Sequence, residues 1–415
     1  MMAGSPSPWL GELRADARDR FESLAWPTPE EEDWRRTDLG RLDLEPFLAD
    51  RVGKAGELCP WAGEPGASAG YIRFESGGCA ELAISERLRS RGARLESMGM
   101  GSLQGESLNS ALMRETFASA GDKVAVWHFA RLEYGAFLYL PPGLKIEEPF
   151  FVDIRESGAG RHATPQIAIV LGEGAAATVI ARTKESLGSS ILCNSRSDIS
   201  LGPSSALRLF ESSNLGPGTP FFQRSRARLA EGSSLERLEV QLGGGLSMTR
   251  VDCLLEGRGS EARLDGLYYS QAGQEADVGV SLRHLSPGAT SKAFYKGAVA
   301  SGGRAVFQGS IDVGTGASGT DAYLSNRNLL LGAAARADSI PTLRIGNNDV
   351  RCSHGSATGR LGEEELFYLR SRGLSEAEAR EMLVLGFFEE LLERSPEAFR
   401  EETLADLRRR MPAAA

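Results

Sequence analysis

A thiol and an imidazole stand two residues apart near the C-terminal end of the chain, at Cys352 and His354. If this segment is a strand, both side chains project from the same face, because side chains alternate between the two faces of a strand. Thiolate sulfur and imidazole nitrogen are common protein ligands of iron–sulfur centres, zinc and copper. Two such ligands supply only half of a tetrahedral coordination sphere. The pair therefore predicts a metal site whose remaining ligands come from elsewhere, most simply from another subunit.

A structural role is the alternative for these two residues. An isolated histidine is usually a hydrogen-bonded structural residue, and an isolated cysteine usually behaves as a small hydrophobic residue. Two observations favour the ligand role for Cys352 and His354: their same-face spacing, and their position directly after a long β-type repeat whose edge can meet another subunit. The other histidines, His128, His162 and His284, are distant in sequence, and nothing in the sequence brings them to the pair.

The repeat that precedes this pair begins near residue 124. In each copy an aliphatic residue is followed by a turn of small residues and then by a strand-like run. The copies begin 26 to 31 residues apart, at Leu140, Leu171, Leu201, Leu229, Leu255, Leu285 and Val313. Self-similarity at a near-fixed period is typical of stacked architectures, because one unit cannot bury its own apolar face. We therefore predict a β-solenoid, with a β-sandwich as the alternative.

Helical segments flank the repeat. We predict a mostly helical N-terminal domain (residues 1–123), a solenoid core (124–359) and a helical C-terminal domain (360–415). Thr28 and Glu31 have the spacing of a capping box that begins a helix, and Ser375 and Glu378 form a second one. Gly373 is a typical helix stop. The C-terminal helices either cover the end of the solenoid or dock a partner, and the two roles are compatible.

Composition excludes several classes of protein. The net charge of −9 argues against binding a nucleic-acid backbone. The five cysteines are scattered without a CxxC motif, which favours a reducing compartment. The N-terminus lacks the pattern of a signal peptide and no apolar run is long enough to cross a membrane, so we predict a cytoplasmic protein. The chain has no GxxxxGK[ST] motif, so we do not expect it to hydrolyse ATP by itself.

Three segments carry a resemblance to a known family. They are PTPEEEDWRRTDL (27–39), the run 284–313 with NRNLLL (326–331), and PTLRIGNNDVRCSHGSATG (341–359). Together they resemble the SufB/SufD family of iron–sulfur cluster assembly proteins, over nearly the whole chain. SufB chains typically have Glu-His-Glu-Ala where this chain has Cys352 to Gly355, so the resemblance is to the SufD side. Arg344 and Asn348 depart from the family pattern, which is usually acidic at both places.

The resemblance implies a right-handed parallel β-helix with helical domains at both ends. It also implies a non-catalytic scaffold that pairs with a SufB-like subunit and carries a SufC-like ABC-type ATPase on its C-terminal helices. By matched position, His354 faces iron or a nascent cluster at the subunit interface, and Cys352 lies beside it. Binding of a flavin, and self-association as a homodimer without the partner, are left open by the resemblance.

Two other functions are compatible with a solenoid. A β-helix carbohydrate-active enzyme would line a groove with carboxylates and basic residues, but the repeats contain no recurring Asp/Glu cluster. A purely structural subunit would use Cys352 and His354 as inert packing.

Overall fold

The computed structural model describes residues 8–48, 68–98 and 106–411. The helices in these ranges are α1 (Pro8–Ser23), α2 (Glu45–Leu48), α3 (Glu86–Ser90), α4 (Glu106–Ala118), α5 (Lys123–Arg131), α6 (Glu363–Ser371), α7 (Glu376–Leu392) and α8 (Glu397–Arg410). One-turn 3-10 helices lie at Glu32–Trp34 and Leu39–Arg41. None of the helices in these ranges is long and apolar enough to cross a bilayer.

The strands of the same ranges are β1 (Gly70–Glu75), β2 (Gly78–Ile84), β3 (Arg94–Ser97), β4 (Tyr134–Leu140), β5 (Phe150–Glu156), β6 (Ala159–Ala163), β7 (Pro165–Leu171), β8 (Ala176–Glu185), β9 (Ser190–Leu201), β10 (Ala206–Asn214), β11 (Phe221–Leu229), β12 (Ser234–Leu242), β13 (Leu246–Leu255), β14 (Glu261–Ser270), β15 (Glu275–His284), β16 (Thr290–Val299), β17 (Arg304–Val313), β18 (Thr320–Leu330), β19 (Arg336–Ile345) and β20 (Val350–Arg360).

These strands form two sheets of ten strands each within the described ranges. Sheet A runs in the order β2-β1-β5-β8-β10-β12-β14-β16-β18-β20, and sheet B runs from β3 and β4 to β19. From β8 onward the chain alternates between the sheets, so each strand pairs in parallel with the strand two places later, as β12 does with β14. The result is a β-solenoid of about eight turns with helices at both ends, which confirms the predicted fold class.

In seven of the eight described turns from sheet B to sheet A, one residue adopts a left-handed backbone conformation. These residues are Gly143, Gly174, Ser204, Gly232, Gly259, Gly288 and Gly319, with φ between +55° and +74°. Each donates its backbone amide to a carbonyl of the next coil. Glycine adopts this conformation at little steric cost, which explains why glycine recurs in the repeat. The last of these bonds joins Gly319 N to Asp349 O at 2.7 Å and so positions the start of β20.

The aliphatic residues of the repeat form a column along the inside of sheet B. Strand pairing confirms six of the seven predicted positions: Leu140, Leu171, Leu201, Leu229, Leu255 and Val313. The prediction for Leu285 is wrong. The column residue in that coil is His284, whereas Leu285 is 44 % exposed. The left-handed glycine lies three residues after Leu229 (Gly232) but four residues after His284 (Gly288). Aligning the repeats on this glycine therefore selects Leu285 in place of His284.

The C-terminal helices α7 and α8 pack on the outer face of sheet A. Their apolar side chains, including Val384, Phe388 and Leu391, join Phe210 and Leu267 of the sheet in one buried cluster. The predicted capping box at the start of α7 is confirmed, since the Ser375 side chain accepts from Glu378 N and the Glu378 carboxylate accepts from Ser375 N. An ion pair adds to the contact, because the buried Lys296 Nζ donates to the exposed Glu390 carboxylate at 2.6 Å.

The region before the solenoid contains strands as well as helices. Strands β1 and β5 pair in parallel, and β2 and β3 pair antiparallel with β1 and β4, so they extend the two sheets at the end opposite β20. Helices α1, α4 and α5 share an apolar cluster with the outer face of sheet B, where Phe137 and Ala168 are buried. The first coils are therefore covered by helices and by antiparallel strands, which protects their edges.

The helix predicted at Thr28 is wrong. Thr28 N does donate to Glu31 Oε1 at 3.0 Å, but the chain continues only as a single 3-10 turn. Residues 27–44, here called the N-terminal strap, instead cross the outer face of sheet B. Trp34 is 1 % exposed and packs against Phe222, and the Thr37 hydroxyl donates to Asp277. These tertiary contacts compensate for the helical hydrogen bonds that the segment does not make.

Buried histidines predict a loss of stability in mild acid. Burial lowers the pKa of His128 and of His284 to about 4, and that of His162 well below its usual range. In the unfolded chain a histidine pKa lies near 6.5, so the folded state binds fewer protons. The stabilising effect is therefore complete above pH 6.5 and decreases as the pH falls toward 4.

We expect the variant His128→Gln to lack the part of this acid-induced loss of stability that comes from His128. The stability difference between wild type and the variant, measured by urea unfolding, should shrink by about 2 kcal/mol between pH 7.5 and pH 5. A difference that stays constant over this range would contradict the assignment.

Candidate functional site

The Cys352–His354 pair lies on β20, the last strand of sheet A. Strand β20 pairs with β18 on one edge, and no described strand pairs with its other edge. Strand β19 ends sheet B in the same way, pairing with β17 only. The last coil therefore presents two rows of free backbone donors and acceptors among the described residues. Such edges are templates for pairing with another chain.

Strand register shows which way the pair faces. Cys352 aligns with Ala322 and His354 with Leu324, and both partners are buried on the inside of the solenoid at 1 % exposure. Both members of the pair therefore point toward the interior side of the last coil. Because no further coil covers them, His354 is exposed and Cys352 is half-buried against the edge of the core. The register thus supports the same-face geometry expected from their spacing.

The surroundings of the Cys352 thiol favour its protonated form. Burial raises the pKa of Cys352 above its ordinary value, and the nearby negative charge of Asp321 raises it further, against a smaller opposing effect of a hydrogen bond with the Ala322 backbone. A metal ion that binds this sulfur must displace the proton. No group of three or more His, Cys, Asp or Glu side chains that could hold a metal ion occurs in residues 8–48, 68–98 and 106–411. Among the described residues, the two candidate ligands Cys352 and His354 therefore have no third candidate beside them.

Behind the last strand, Tyr268, Asn326 and Asn328 form a closed ring of hydrogen bonds that the sequence analysis does not predict. Tyr268 OH donates to Asn328 Oδ1 at 2.6 Å, Asn328 Nδ2 donates to Asn326 Oδ1 at 2.7 Å, and Asn326 Nδ2 donates to Tyr268 OH at 3.0 Å. All three side chains are at most 3 % exposed. In register with the two asparagines, Ser356 and Thr358 form the polar half of the open end. The sequence signal for this ring is the Asn-x-Asn alternation at Asn326 and Asn328, which places both amides on one face of a strand.

Arg344, which departs from the family pattern, has local charge partners. Its guanidinium lies 3.2 Å from Asp312 and 3.5 Å from Glu32, which belongs to the N-terminal strap. Both Arg344 and Glu32 are largely exposed, so these pairs add little stability. They do join the strap to the edge strand β19. Asn348 is exposed in the turn between β19 and β20, and nothing in the structure explains its departure.

The other three histidines do not approach the pair. The ring nitrogens of His128 lie 2.7 Å from Asn194 O and 3.0 Å from Gln166 Oε1, beneath α5. His162 packs against Trp127 with ring centroids 4.1 Å apart. His284 lies inside the solenoid, where its Nε2 is 2.8 Å from Ser291 Oγ. All three have structural surroundings, and His354 is the one histidine with an exposed side chain.

A second surface stands out at the C-terminal helices. Helix α6 contains no buried residue, and it exposes Phe367 by 75 % and Tyr368 by 56 %. On α7, Met382 is 50 % exposed. Side chains of this kind are enriched at the centres of protein interfaces. We call Phe367, Tyr368 and Met382 the exposed helical patch.

Fold and site together define a class: a β-solenoid scaffold that ends in a free strand edge bearing a Cys-x-His pair. The family model described as the SufBD core domain of the SUF system for FeS cluster assembly matches residues 154–387. The chain therefore belongs to the SufB/SufD family of iron–sulfur cluster assembly proteins, as its sequence motifs indicated. The matched range extends from β5 to α7 and includes both Cys352 and His354.

Relatives of known name agree with this assignment. The iron–sulfur cluster assembly protein SufD of Escherichia coli is 32% identical over 246 residues, which are 59% of this chain and 58% of that protein. A SufBD family protein of Mycobacterium tuberculosis is 36% identical over 174 residues, 40% of this chain and 44% of the relative. One from Staphylococcus epidermidis is 27% identical over 293 residues, 69% of this chain and 63% of the relative. Each match spans less than two thirds of the relative's own length.

The different exposures of the four histidines predict selective chemical modification. Diethyl pyrocarbonate should modify His354 rapidly and the other three slowly, because the reagent must reach the imidazole. We expect one fast equivalent per chain by mass spectrometry, and none in His354→Ala. Fast modification of His128 or His284, or a protected His354, would contradict the described geometry of the open end.

Proposed function

We propose that this chain is a non-catalytic scaffold subunit for iron–sulfur cluster assembly, and that a SufB-like subunit joins it at the open end of the solenoid. The partner would pair with the free edges of β19 and β20 by strand addition. His354, and Cys352 beside it, would then line the junction, and the partner would complete the coordination of iron or of a nascent cluster. In this role iron and sulfide are the cargo of the complex.

The observation that carries the proposal is the position of His354. It is exposed, it faces the interior side of the last coil, and it lies on a strand whose outer edge has no partner among the described residues. An imidazole inside the core would be unable to bind metal without unfolding. An imidazole on the outer face would point away from any chain that continues the solenoid.

The exposed helical patch supports a second proposal, that a SufC-like ATPase docks on the C-terminal helices. Helices α7 and α8 are joined to sheet A through their apolar cluster and through the Lys296–Glu390 pair. Force applied to these helices would therefore reach the strands. ATP binding by the partner would open the subunit junction only if the partner binds more tightly to the open state than to the closed one.

The role proposed for the His354 imidazole can be tested by removing it. In a complex co-expressed with a SufB-like and a SufC-like chain, His354→Ala should lower the iron and sulfide content by at least about tenfold, since a ligand is lost. Subunit stoichiometry should be unchanged, because an exposed side chain contributes little to folding. The iron content and the visible absorbance of the anaerobically purified complex measure the effect.

A matched control lies on the same strand. Ser353 is also exposed but faces the outer side of β20, so Ser353→Ala should retain the wild-type iron content. Wild-type iron in His354→Ala would remove the imidazole from the site. Equal losses in both variants would indicate a general disturbance of the strand instead of a lost ligand.

The second prediction concerns the exposed helical patch. Phe367→Asp should weaken co-purification of the ATPase by roughly tenfold or more, because a charge would replace an aromatic anchor at the interface. Leu187, which is 100 % exposed on a loop between β8 and β9, provides the control. Leu187→Asp should bind the ATPase as wild type does. Unchanged co-purification of Phe367→Asp would put the docking surface elsewhere.

A further inference from the structure

The C-terminal helices pack incompletely on the solenoid. A cavity of about 640 Å³ lies between α7 and the turns of three successive coils, which contribute Gln271, Ala300 and Leu331. Helix α6 contributes no buried residue. The contact therefore rests on the buried apolar cluster between α7, α8 and sheet A, with ion pairs such as Lys184–Glu402 around it.

A carboxylate interrupts the apolar surface on which these helices pack. Strand register aligns four side chains on the outer face of sheet A, namely Phe210, Leu238, Asp265 and Phe294. Phe210 and Leu238 belong to the buried cluster, and Phe294 packs against it. Asp265 is 4 % exposed, and α7 packs across its strand, β14. Docking of the helices therefore removes this carboxylate from water, which costs free energy when the group is ionised.

The charge of Asp265 is only partly compensated. Its Oδ2 accepts from Arg263 Nε at 2.7 Å on the same strand, whereas its Oδ1 is buried without a hydrogen-bond partner among the described residues. Two further charges act on it with opposite signs: Arg394, in the turn between α7 and α8, and Glu236 on β12. Burial outweighs the attraction of the two arginines and raises the pKa of Asp265 to about 6.

Other carboxylates of this contact behave differently or lie elsewhere. On α7, Glu390 accepts from Lys296 of β16 at 2.6 Å, and this bond lowers the pKa of Glu390. Glu390 therefore stays ionised at a pH where Asp265 takes up a proton. Asp153 on β5 also has a pKa raised by burial, and Arg182 joins it to α8. The effect of Asp265 is therefore separated from that of Asp153 by substitution.

We propose that Asp265 makes the docking of the C-terminal helices sensitive to pH: its ionised carboxylate weakens their contact with sheet A, and uptake of a proton strengthens it. Release of the helices exposes Asp265 to water, where its pKa returns to about 3.9. The docked state thus binds the proton more tightly than the released state. The added stability is complete below about pH 4 and is lost as the pH rises through about 6. This property belongs to the chain alone and depends on neither a partner subunit nor iron.

Hydrogen exchange of the full chain, followed by mass spectrometry, tests the proposal. The measured quantity is the protection of the α7 and α8 amides in wild type relative to Asp265→Asn, at pH 7.5 and at pH 5.0. This ratio should rise about tenfold from the higher to the lower pH, because only the wild type takes up the proton at this position. The intrinsic effect of pH on exchange and the effect of the buried histidines are common to both chains and cancel in the ratio.

Asp252→Asn is the matched control. Asp252 also lies on an outer face and has a pKa raised by burial, but it belongs to sheet B, away from α7 and α8. Its ratio to wild type should stay constant, because release of the helices does not expose it. Asp265→Leu, which continues the apolar column, should abolish the pH dependence as Asp265→Asn does. A constant ratio for both Asp265 variants, or an equal rise for Asp252→Asn, would overturn the proposal. Circular dichroism verifies that each variant is folded.

Discussion

Parallel hydrogen bonding between successive coils is the interaction on which the rest of this structure depends. Each strand from β8 to β18 pairs with a neighbour on both edges, and in-register pairing keeps each side-chain column inside or outside over these coils. The same interaction creates the open end of the molecule. A stack of identical pairings must stop somewhere, and where it stops at β19 and β20 the backbone groups and the inward side chains are both left uncovered.

At both ends the sheets finish in strands that pair on one edge only, but the two ends differ in what covers the last coil. At the first end, β2 and β3 pair antiparallel with their neighbours, and α1, α4 and α5 cover the outer face of sheet B. At the other end the described residues leave the edges free. A strand edge without protection is an aggregation hazard in a protein that works alone. Its persistence beside an exposed imidazole is consistent with a surface that is covered by another subunit in the working complex.

The apolar interior behind this open end contains one hydrogen-bonded polar cluster. Tyr268, Asn326 and Asn328 form a closed ring of donors and acceptors. The Tyr268 ring lies over Gly297, where a Cβ atom would approach it to 1.9 Å, so glycine is required at that position. A satisfied polar network of this kind specifies one arrangement more sharply than apolar packing does. It gives β20 a rigid support on its inner side.

Local regularities decided which predictions succeeded. Glycine occupies six of the seven turn positions with positive φ because it adopts this conformation at little steric cost, so its recurrence predicted the coil and the period. The capping box at Ser375 was predictable because it involves only neighbouring residues. The failures come from distant contacts. The repeat pattern predicts Leu285 in place of His284 because turn length varies between coils. The strap does not continue as a helix after Thr28 because Trp34 packs against Phe222, and no local sequence pattern contains that contact.

The sequence by itself determined the stacked β architecture, the turns, the same-face geometry of Cys352 and His354, and the family, because each of these depends on short-range periodicity or on a motif. The tertiary structure alone decided that His354 is exposed while the other histidines are buried or packed under α5, since exposure depends on which coil is the last one. It also decided that burial and the charge of Asp321 raise the pKa of Cys352, and that a cavity remains between α7 and the coils. These properties depend on contacts between segments that are distant in sequence, and the spacing of residues along the chain does not predict such contacts.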